Sequence, residues 1–397
     1  MSDLAEKADA AITKPPPWND PFIRSIFFQI VAIGLLGYFF YSAFENTLSN
    51  MSKSGISTGF AFLGREAGFG ILMSLIEYDE THTYGRTFFV GLLNTAIVAF
   101  CGIILATILG FIIGIARLSN NWLISKLAGV YIEIVRNVPL LLQIIFWAVA
   151  VLQALPGPRN SMQLGESFFL NNRGLFLPEP IYGDGFGIVV IAFFIAVAGT
   201  IFLKRWAKQR QEQSGDQFPV FYASIGMLIG LPGLVFLILG MPLSWEYAKL
   251  GRFSLTGGTN IIPEFMALLL ALTMYTAAFI AEIVRSGIQA VTHGQTEAAR
   301  ALGLRNGPTL RLVVIPQAMR VIIPPLTSQY LNLTKNSSLA TAIGYPDLVS
   351  VFAGTTLNQT GQALEIIAMT MAVYLTFSLT ISAIMNWYNK RVALVER

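Results

Sequence analysis

The stretch "TEAARALGLRNGPTLRLVVIPQAMR", residues 296–320, joins a small-residue run, Glu297 to Gly303, to an apolar return that ends in Pro316. Arginines surround it: Arg285 upstream, then Arg300, Arg305, Arg311 and Arg320. Thr292 and Gln295 fit a capping box at a helix start, and Asn306-Gly307-Pro308 is a stop signal. The helix between them has only about three turns, too short to persist in water without tertiary packing. Ala298, Ala299, Ala301 and Gly303 would let another backbone come close, while Glu297 and the arginines offer directional polar contacts at the edges. A helix resting on a membrane ordinarily carries bulky apolar anchors, and Leu302 and Leu304 are a modest pair. The stretch reads as a helix built to be held by a soluble partner.

Its surroundings are those of a membrane protein. Of 397 residues, 54% are hydrophobic and 12% charged, about half of the roughly 25% charged residues usual in soluble domains. Apolar runs near the ~20 residues that span a bilayer lie at 22–44, 88–116, 138–155, 186–203, 219–241, 263–284 and 364–386. An eighth, 321–343, is weaker because it holds Pro324, Pro325 and many polar residues. The first run is too long for the apolar region of a signal peptide and reads as a retained anchor. The segment "TKPPPWNDP" before it is extended, with no fold of its own.

Eight spans divide the lysines and arginines unevenly, with eighteen on the side of both termini and eight on the other. Cytoplasmic loops carry the excess of positive charge, so both termini and the opening stretch are expected in the cytoplasm. The net charge of +4 does not point to nucleic acid, because the basic residues are scattered through short loops without a continuous patch. A single cysteine, Cys101, and two distant histidines, His82 and His293, argue against a disulfide framework and a metal site.

The order Glu297-Ala298-Ala299, Gly303, Val313-Val314-Ile315-Pro316 resembles the EAA signature of ABC-importer permeases, with Val-Val-Ile-Pro in place of the family's Ile-x-Leu-Pro. "GLLNTAIVAFCGIILATILGFIIGIARLS" (91–119), "YIEIVRNVPLLLQ" (131–143), "YTAAFIAEIVRSGIQAVTHGQTEAARALGL" (275–304) and "LTKNSSLATAIG" (333–344) are similar to the polar amino-acid permeases. The large insertion resembles the Q-type permease subunit of general L-amino-acid transporters. The resemblance implies an all-α integral membrane protein: a polytopic bundle of about eight transmembrane helices on the five-helix core of a type I ABC importer. The core helices map onto 88–116, 131–155, 263–288, 318–345 and 364–388.

The implied organisation is a cytoplasmic N-terminal segment (1–21), an extra helix (22–44), a periplasmic loop (45–87) and the first part of the core (88–155). An insertion with two extra helices (156–262), the second part of the core (263–390) and a cytoplasmic tail (391–397) follow. The coupling helix lies within 293–307, and Glu297, Ala298, Ala299, Arg300 and Gly303 would meet the ATP-binding subunit. The implied partners are an ATP-binding subunit dimer, a second related permease forming a heterodimer, a periplasmic amino-acid-binding protein and membrane lipid. The chain would sit in a bacterial inner membrane.

No Gly-Lys pair occurs anywhere in the chain, so it lacks the phosphate-cradling loop of an ATPase. The chain is therefore not expected to be an enzyme or to bind a cofactor, with ATP and Mg on the partner. The alternative is an ion-gradient-driven secondary amino-acid transporter, which needs buried carboxylates within its spans. The candidates Glu133, Glu264, Glu282 and Glu365 all fall near span ends, and Glu282 can simply pair with Arg285 at i, i+3.

A candidate substrate path comes from the weak span. Ser328, Asn332 and Asn336 recur at i, i+4, i+8, with Gln329, Lys335, Ser337 and Ser338 alongside. Such a stripe facing a cavity suits an amino acid's carboxylate and amine; between helices it would serve as polar glue. Gly110 with Gly114, and Gly226 with Gly230, are small-xxx-small pairs for close helix packing. Glu133 and Arg136 suggest a salt bridge, Asn94 and Thr95 cross-helix hydrogen bonds, and Cys101 a small packing residue.

Overall fold

The computed structural model describes residues 20–53, 58–165, 167–251 and 255–392. The N-terminal segment through residue 19 and the tail from 393 lie outside the described residues, as does Arg252 of the charge count.

Besides the helical connection from Val349 to Thr360 and two short turns, ten helices organise the described residues: α1 Pro21–Lys53, α2 Tyr84–Arg117, α3 Trp122–Asn137, α4 Leu140–Leu152 and α5 Phe186–Ser214 come first. They are followed by α6 Val220–Ile238, α7 Pro263–Gln289, α8 His293–Ala301, α9 Asn306–Ile343 and α10 Ala363–Val392. Seven of them are long and apolar enough to cross a membrane, and α3 with α4 together would make an eighth. All eight expected apolar runs thus fall on helices.

The run expected to cross at 131–155 is not one rod. Its chain turns by 106° between α3 and α4. Pro139 has no N–H to continue the helix and drives the residue before it out of the helical region, and Val138 sits at φ −96°, ψ 127°. Gln143 Nε2 donates to the carbonyls of Val135 and Val138, each at 2.9 Å, and so satisfies two groups that the break exposes. By contrast, Pro324 and Pro325 do not end α9, which runs on through both.

The core is built on α2, α7 and α9. Val98, Leu268, Leu272, Ile280, Ile322 and Leu333 are all buried there. The closeness of α2 to α7 requires the first glycine pair. A Cβ on Gly110 would lie 2.6 Å from Ile280 Cβ, and one on Gly114 would lie 2.7 Å from the carbonyl oxygen of Ala281. The second pair is different. A Cβ on Gly226 or Gly230 would meet nothing within 4 Å, so the expected close packing at that pair is absent among the described residues. Helix α6 instead meets α5 where Met227 faces Gly199.

The insertion also carries short strands that no alternating pattern announced. Strands β1 (Met162–Leu164), β2 (Phe168–Asn171) and β3 (Gly174–Leu177) form an antiparallel sheet that β8 (Thr259–Ile261) completes. Two further pairs join β4 (Glu179–Tyr182) to β5 (Leu243–Glu246) and β6 (Lys249–Leu250) to β7 (Leu255–Thr256). They frame the ends of the α5–α6 hairpin and lie at the start of α7.

Candidate functional site

Helix α8 projects from the bundle between α7 and α9, and its ends are held differently from the expectation. Thr292 takes the extended N-cap geometry, yet its side chain accepts no capping bond. The side chain of Gln295 turns away and accepts from Gln317 Nε2 at 3.2 Å. The capping box therefore does not close. The stop also lies earlier than Asn306-Gly307-Pro308, which instead opens α9 with Pro308 in its first turn, where a missing N–H costs little.

Gly303, at φ +77°, ends α8. Its N–H donates to Arg300 O at 2.9 Å, and Leu304 N–H reaches back to Ala299 O at 3.1 Å. This is the paired bonding of a left-handed helix cap, for which glycine is suited by its lack of a Cβ. A Cβ on Gly303 would meet nothing within 4 Å, so its identity is explained here by backbone conformation. Ala299 is buried against the chain, whereas Glu297, Ala298 and Arg300 are exposed and Leu302 is 82% exposed. The helix is a knob seated on one alanine.

Charged groups gather above that knob. Arg285 donates through Nε and Nη2 to Glu282, the former at 3.0 Å, so the expected i, i+3 pair forms. Arg136 does not pair with Glu133. Its guanidinium lies 5.0 Å from the centre of the Phe279 ring, and Asn137 Nδ2 donates to the carbonyl of Glu133 at 2.7 Å. Arg117 bonds Ser125 Oγ at 3.1 Å, and Arg320 Nε donates to Val392 O at 3.0 Å. These residues collect at the end of the bundle that carries α8, as the charge division grouped them.

The polar stripe of α9 divides between two cavities and the surface. Gln329 lines one of about 220 Å³ with Arg136, Glu282 and Pro325. Lys335 and Ser338 line another of about 550 Å³, joined by Thr370, Tyr374 and Ser378 from α10. Ser328 and Asn332 are exposed and Asn336 is half-buried on the face between. Ser337 turns inward, is buried, and donates to Thr334 O at 2.7 Å. Lys335 thus stands at an open groove walled largely by Val349, Met371 and Leu375. Ser338, Thr370 and Tyr374 already donate to Lys335 O, Ile366 O and Asp347 Oδ2, so the Lys335 ammonium is the group able to hold a carboxylate.

The structure adds a polar centre that sequence reading passed over. Asp347, in the connection between α9 and α10, is fully buried. Its Oδ1 accepts from Ser350 N at 2.8 Å and from Thr341 Oγ1 at 3.5 Å, and its Oδ2 accepts from Tyr374 OH at 3.4 Å. Burial away from water pushes its pKa up to about 6. Asn94 and Thr95 anchor the same connection, as their expected cross-contacts. Asn94 Nδ2 donates to Pro346 O at 2.9 Å, and Thr95 Oγ1 accepts from Leu348 N at 3.0 Å. The sequence held one signal: an Asp after Pro346 with its acceptor three residues ahead of a free N–H is an N-cap pattern.

At the opposite end from α8, a cavity of about 430 Å³ lies among α4, the start of α7, the end of α9 and the β2–β3 turn. Gln153, Asn172 and Glu264 are its polar lining.

Residues 102–394 match the family described as binding-protein-dependent transport system inner membrane component. The chain is similar to the putative amino-acid ABC transporter permease protein YhdX of Escherichia coli (strain K12), 55% identical over 382 residues, covering 95% of this chain and 96% of that one. It is similar to the general L-amino acid transport system permease protein AapQ of Rhizobium johnstonii, 53% identical over 378 residues, covering 95% and 94%. A third relative, the glutamate/glutamine/aspartate/asparagine transport system permease protein BztB of Rhodobacter capsulatus, is 42% identical over 409 residues, covering 95% and 96%.

Proposed function

Because this chain belongs to the family of binding-protein-dependent transport system inner membrane components, we propose that it is the permease subunit of an ATP-driven importer of amino acids. The observation that carries the energy coupling is α8: a short helix, closed at its C-terminus by Gly303, that buries only Ala299 among its described residues and offers Glu297, Ala298, Arg300 and Leu302 outward. Such a knob needs a complementary groove, and an ATP-binding subunit dimer supplies it. ATP and Mg are held there, since this chain has no phosphate loop. Glu297 and Arg300 give the contact direction, and Gly303 fixes the angle at which the chain leaves it.

The substrate passes the Lys335 groove, where the ammonium takes the substrate carboxylate and Ser378 supplies a hydroxyl. Recognition of a group common to all amino acids suits a broad range of L-amino acids, in line with the name of the relative AapQ. A related second permease completes the path as a heterodimer, and a periplasmic binding protein delivers substrate. The complex lies in the bacterial inner membrane with both termini cytoplasmic. An ion-driven carrier would need an acid deep within a span, whereas Glu264, Glu282 and Glu365 lie towards the ends of their helices and Asp347 lies in a connection, sealed behind Tyr374.

The test is affinity purification from gently solubilised membranes, with uptake of labelled L-leucine and L-glutamate measured in the same cells. An ATP-binding subunit should co-purify, and Lys335→Met should lower uptake of both substrates without loss of that subunit. Recovery of the chain alone from cells that transport would overturn the coupling, and undiminished uptake by Lys335→Met would remove the groove from the path.

A further inference from the structure

The cavity at the far end of the bundle is lined by three polar side chains, half-buried Glu264 and exposed Gln153 and Asn172, that are open to water or to a ligand. Glu264 in the first turn of α7, Gln153 at the end of α4 and Asn172 in the β2–β3 turn all line it. None of the three side chains makes a hydrogen bond or ion pair with the described residues. They come from three separate stretches of chain, and one of these, Asn172, belongs to the insertion. The remaining wall is apolar, with Ile145, Ala148, Val149 and Ile343. The volume of about 430 Å³ is within the range of small-molecule sites, roughly 300–1,000 Å³.

The chemistry of that lining is specific. A carboxylate accepts hydrogen bonds only, and each amide offers two N–H donors. An isolated cation would draw on Glu264 and the two amide oxygens, but would leave the amide N–H donors and the apolar wall unused. An isolated anion would be repelled by Glu264. A zwitterion carrying an ammonium and a carboxylate on one carbon uses all three groups, and its side chain is left to the apolar wall.

We propose that this cavity is an outer binding site for free α-amino acids, distinct from the Lys335 groove, in which Glu264 holds the ammonium while Gln153 and Asn172 hold the carboxylate. The proposal rests on the reading of the chain as an amino-acid permease. It gives the insertion a role, because without Asn172 the carboxylate has one amide partner in place of two. Such a site selects for the part that every amino acid shares, and discriminates little among side chains.

The site is adjacent to the stripe. Ala342 and Ile343 line it, only a few residues beyond Lys335 and Ser338 in the closing turn of α9.

The experiment uses the full chain in its assembled transporter, reconstituted in vesicles. In a Cys101→Ser background, the exposed, cavity-lining Ala342→Cys is labelled with a membrane-impermeant maleimide. L-Leucine and L-glutamine should each slow labelling, at concentrations within a few-fold of one another. 4-Methylpentanoate, which is leucine without the ammonium, and isopentylamine, which lacks the carboxylate, should not. Glu264→Gln should raise the protecting concentration by about 10- to 100-fold, the range for one charge-assisted hydrogen bond, and Glu264→Asp should recover most of it. Lys335→Met should leave protection intact.

Equal protection in Glu264→Gln overturns the site. So does loss of protection in Lys335→Met, because the label would then be reporting the groove. Uptake of L-leucine by the same vesicles separates the two readings. No protection in vesicles that transport overturns the outer site alone, whereas no uptake of any amino acid by the unmutated complex overturns the proposed function and this site with it.

Discussion

Replacing Gly303 separates two physical reasons for a glycine at the end of α8. One is conformation: the residue sits at φ +77° and closes the cap through its own N–H and that of Leu304. The other is space: a partner surface too close for a side chain. Valine and asparagine distinguish them. An L-residue in the left-handed region costs roughly 1–2 kcal/mol, asparagine being among the few exceptions, and β-branched residues fare worst there. If the cap opens instead, two hydrogen bonds are lost at about 0.5–1.5 kcal/mol each. Either route puts Gly303→Val near 1–3 kcal/mol, which is roughly a 5- to 150-fold fall in the equilibrium constant for the closed cap. Asparagine has one more heavy atom than valine, so it is the worse choice if space decides. The assay is co-purification of the ATP-binding subunit together with uptake, at matched amounts of chain in the membrane. Gly303→Asn should keep most of both, and Gly303→Val should lose about tenfold. Asparagine as damaging as valine would refute the conformational account and restore close approach as the reason.

Further expectations concern packing, pH and topology. Gly110→Ala with Gly114→Ala should lower the unfolding temperature in detergent: each misplaced methyl costs about 1–3 kcal/mol, against about 1 kcal/mol returned by helix propensity. Gly226→Ala with Gly230→Ala, whose added Cβ atoms meet nothing, should be neutral or stabilising, and the reverse ranking would contradict the helix contacts. Asp347 has its pKa raised from 3.8 to about 6, so the folded chain holds that proton more tightly than the unfolded chain. Its contribution to stability is full below about pH 4 and is lost as pH rises through about 6, by at most about 3 kcal/mol. Asp347→Asn should flatten this part of a tryptophan-fluorescence melting series between pH 4 and 7, and an unchanged slope would exclude Asp347 as its source. In a Cys101→Ser background, Asn172→Cys should react with an impermeant thiol reagent added outside intact cells, and Gln209→Cys only after the membrane is opened. The opposite pattern would invert the topology.

The sequence was most legible where one property had to persist over many residues. The apolar runs predicted the seven helices long enough to cross a membrane singly, because lipid demands uniform polarity along about 20 residues, but not α3, which lies outside every run. Direction is not carried by such a run. Leu140 to Leu152 is as apolar as a span, and only the local pair Val138-Pro139 marks the 106° turn before it. Gly110-xxx-Gly114 and Gly226-xxx-Gly230 are the same pattern on paper; what separates them is Ile280, about 170 residues from the first pair. Asp347 was illegible for the same reason. Its partners Thr341 and Ser350 are local, but Tyr374 and the anchors Asn94 and Thr95 arrive from other helices. In the stripe, spacing placed Ser328, Asn332 and Asn336 on one face, yet it could not say that Gln329 and Lys335 open into different cavities.

The pairing of β3 with β8 bears on how a chain can gain or lose a large insertion. Helices α5 and α6 leave the small sheets and return to them, and Leu175 opposite Ile261 brings the two ends of that excursion side by side. Two crossings make an even number. The direction of α7 is therefore the same as it would be if a tight turn joined β3 straight to β8, and α8 emerges at the same end of the bundle. A single added helix, or three, would invert everything downstream and carry the knob away from any partner waiting for it. The hairpin is neutral in parity, so additions of this kind can accumulate on the core without reversing its polarity.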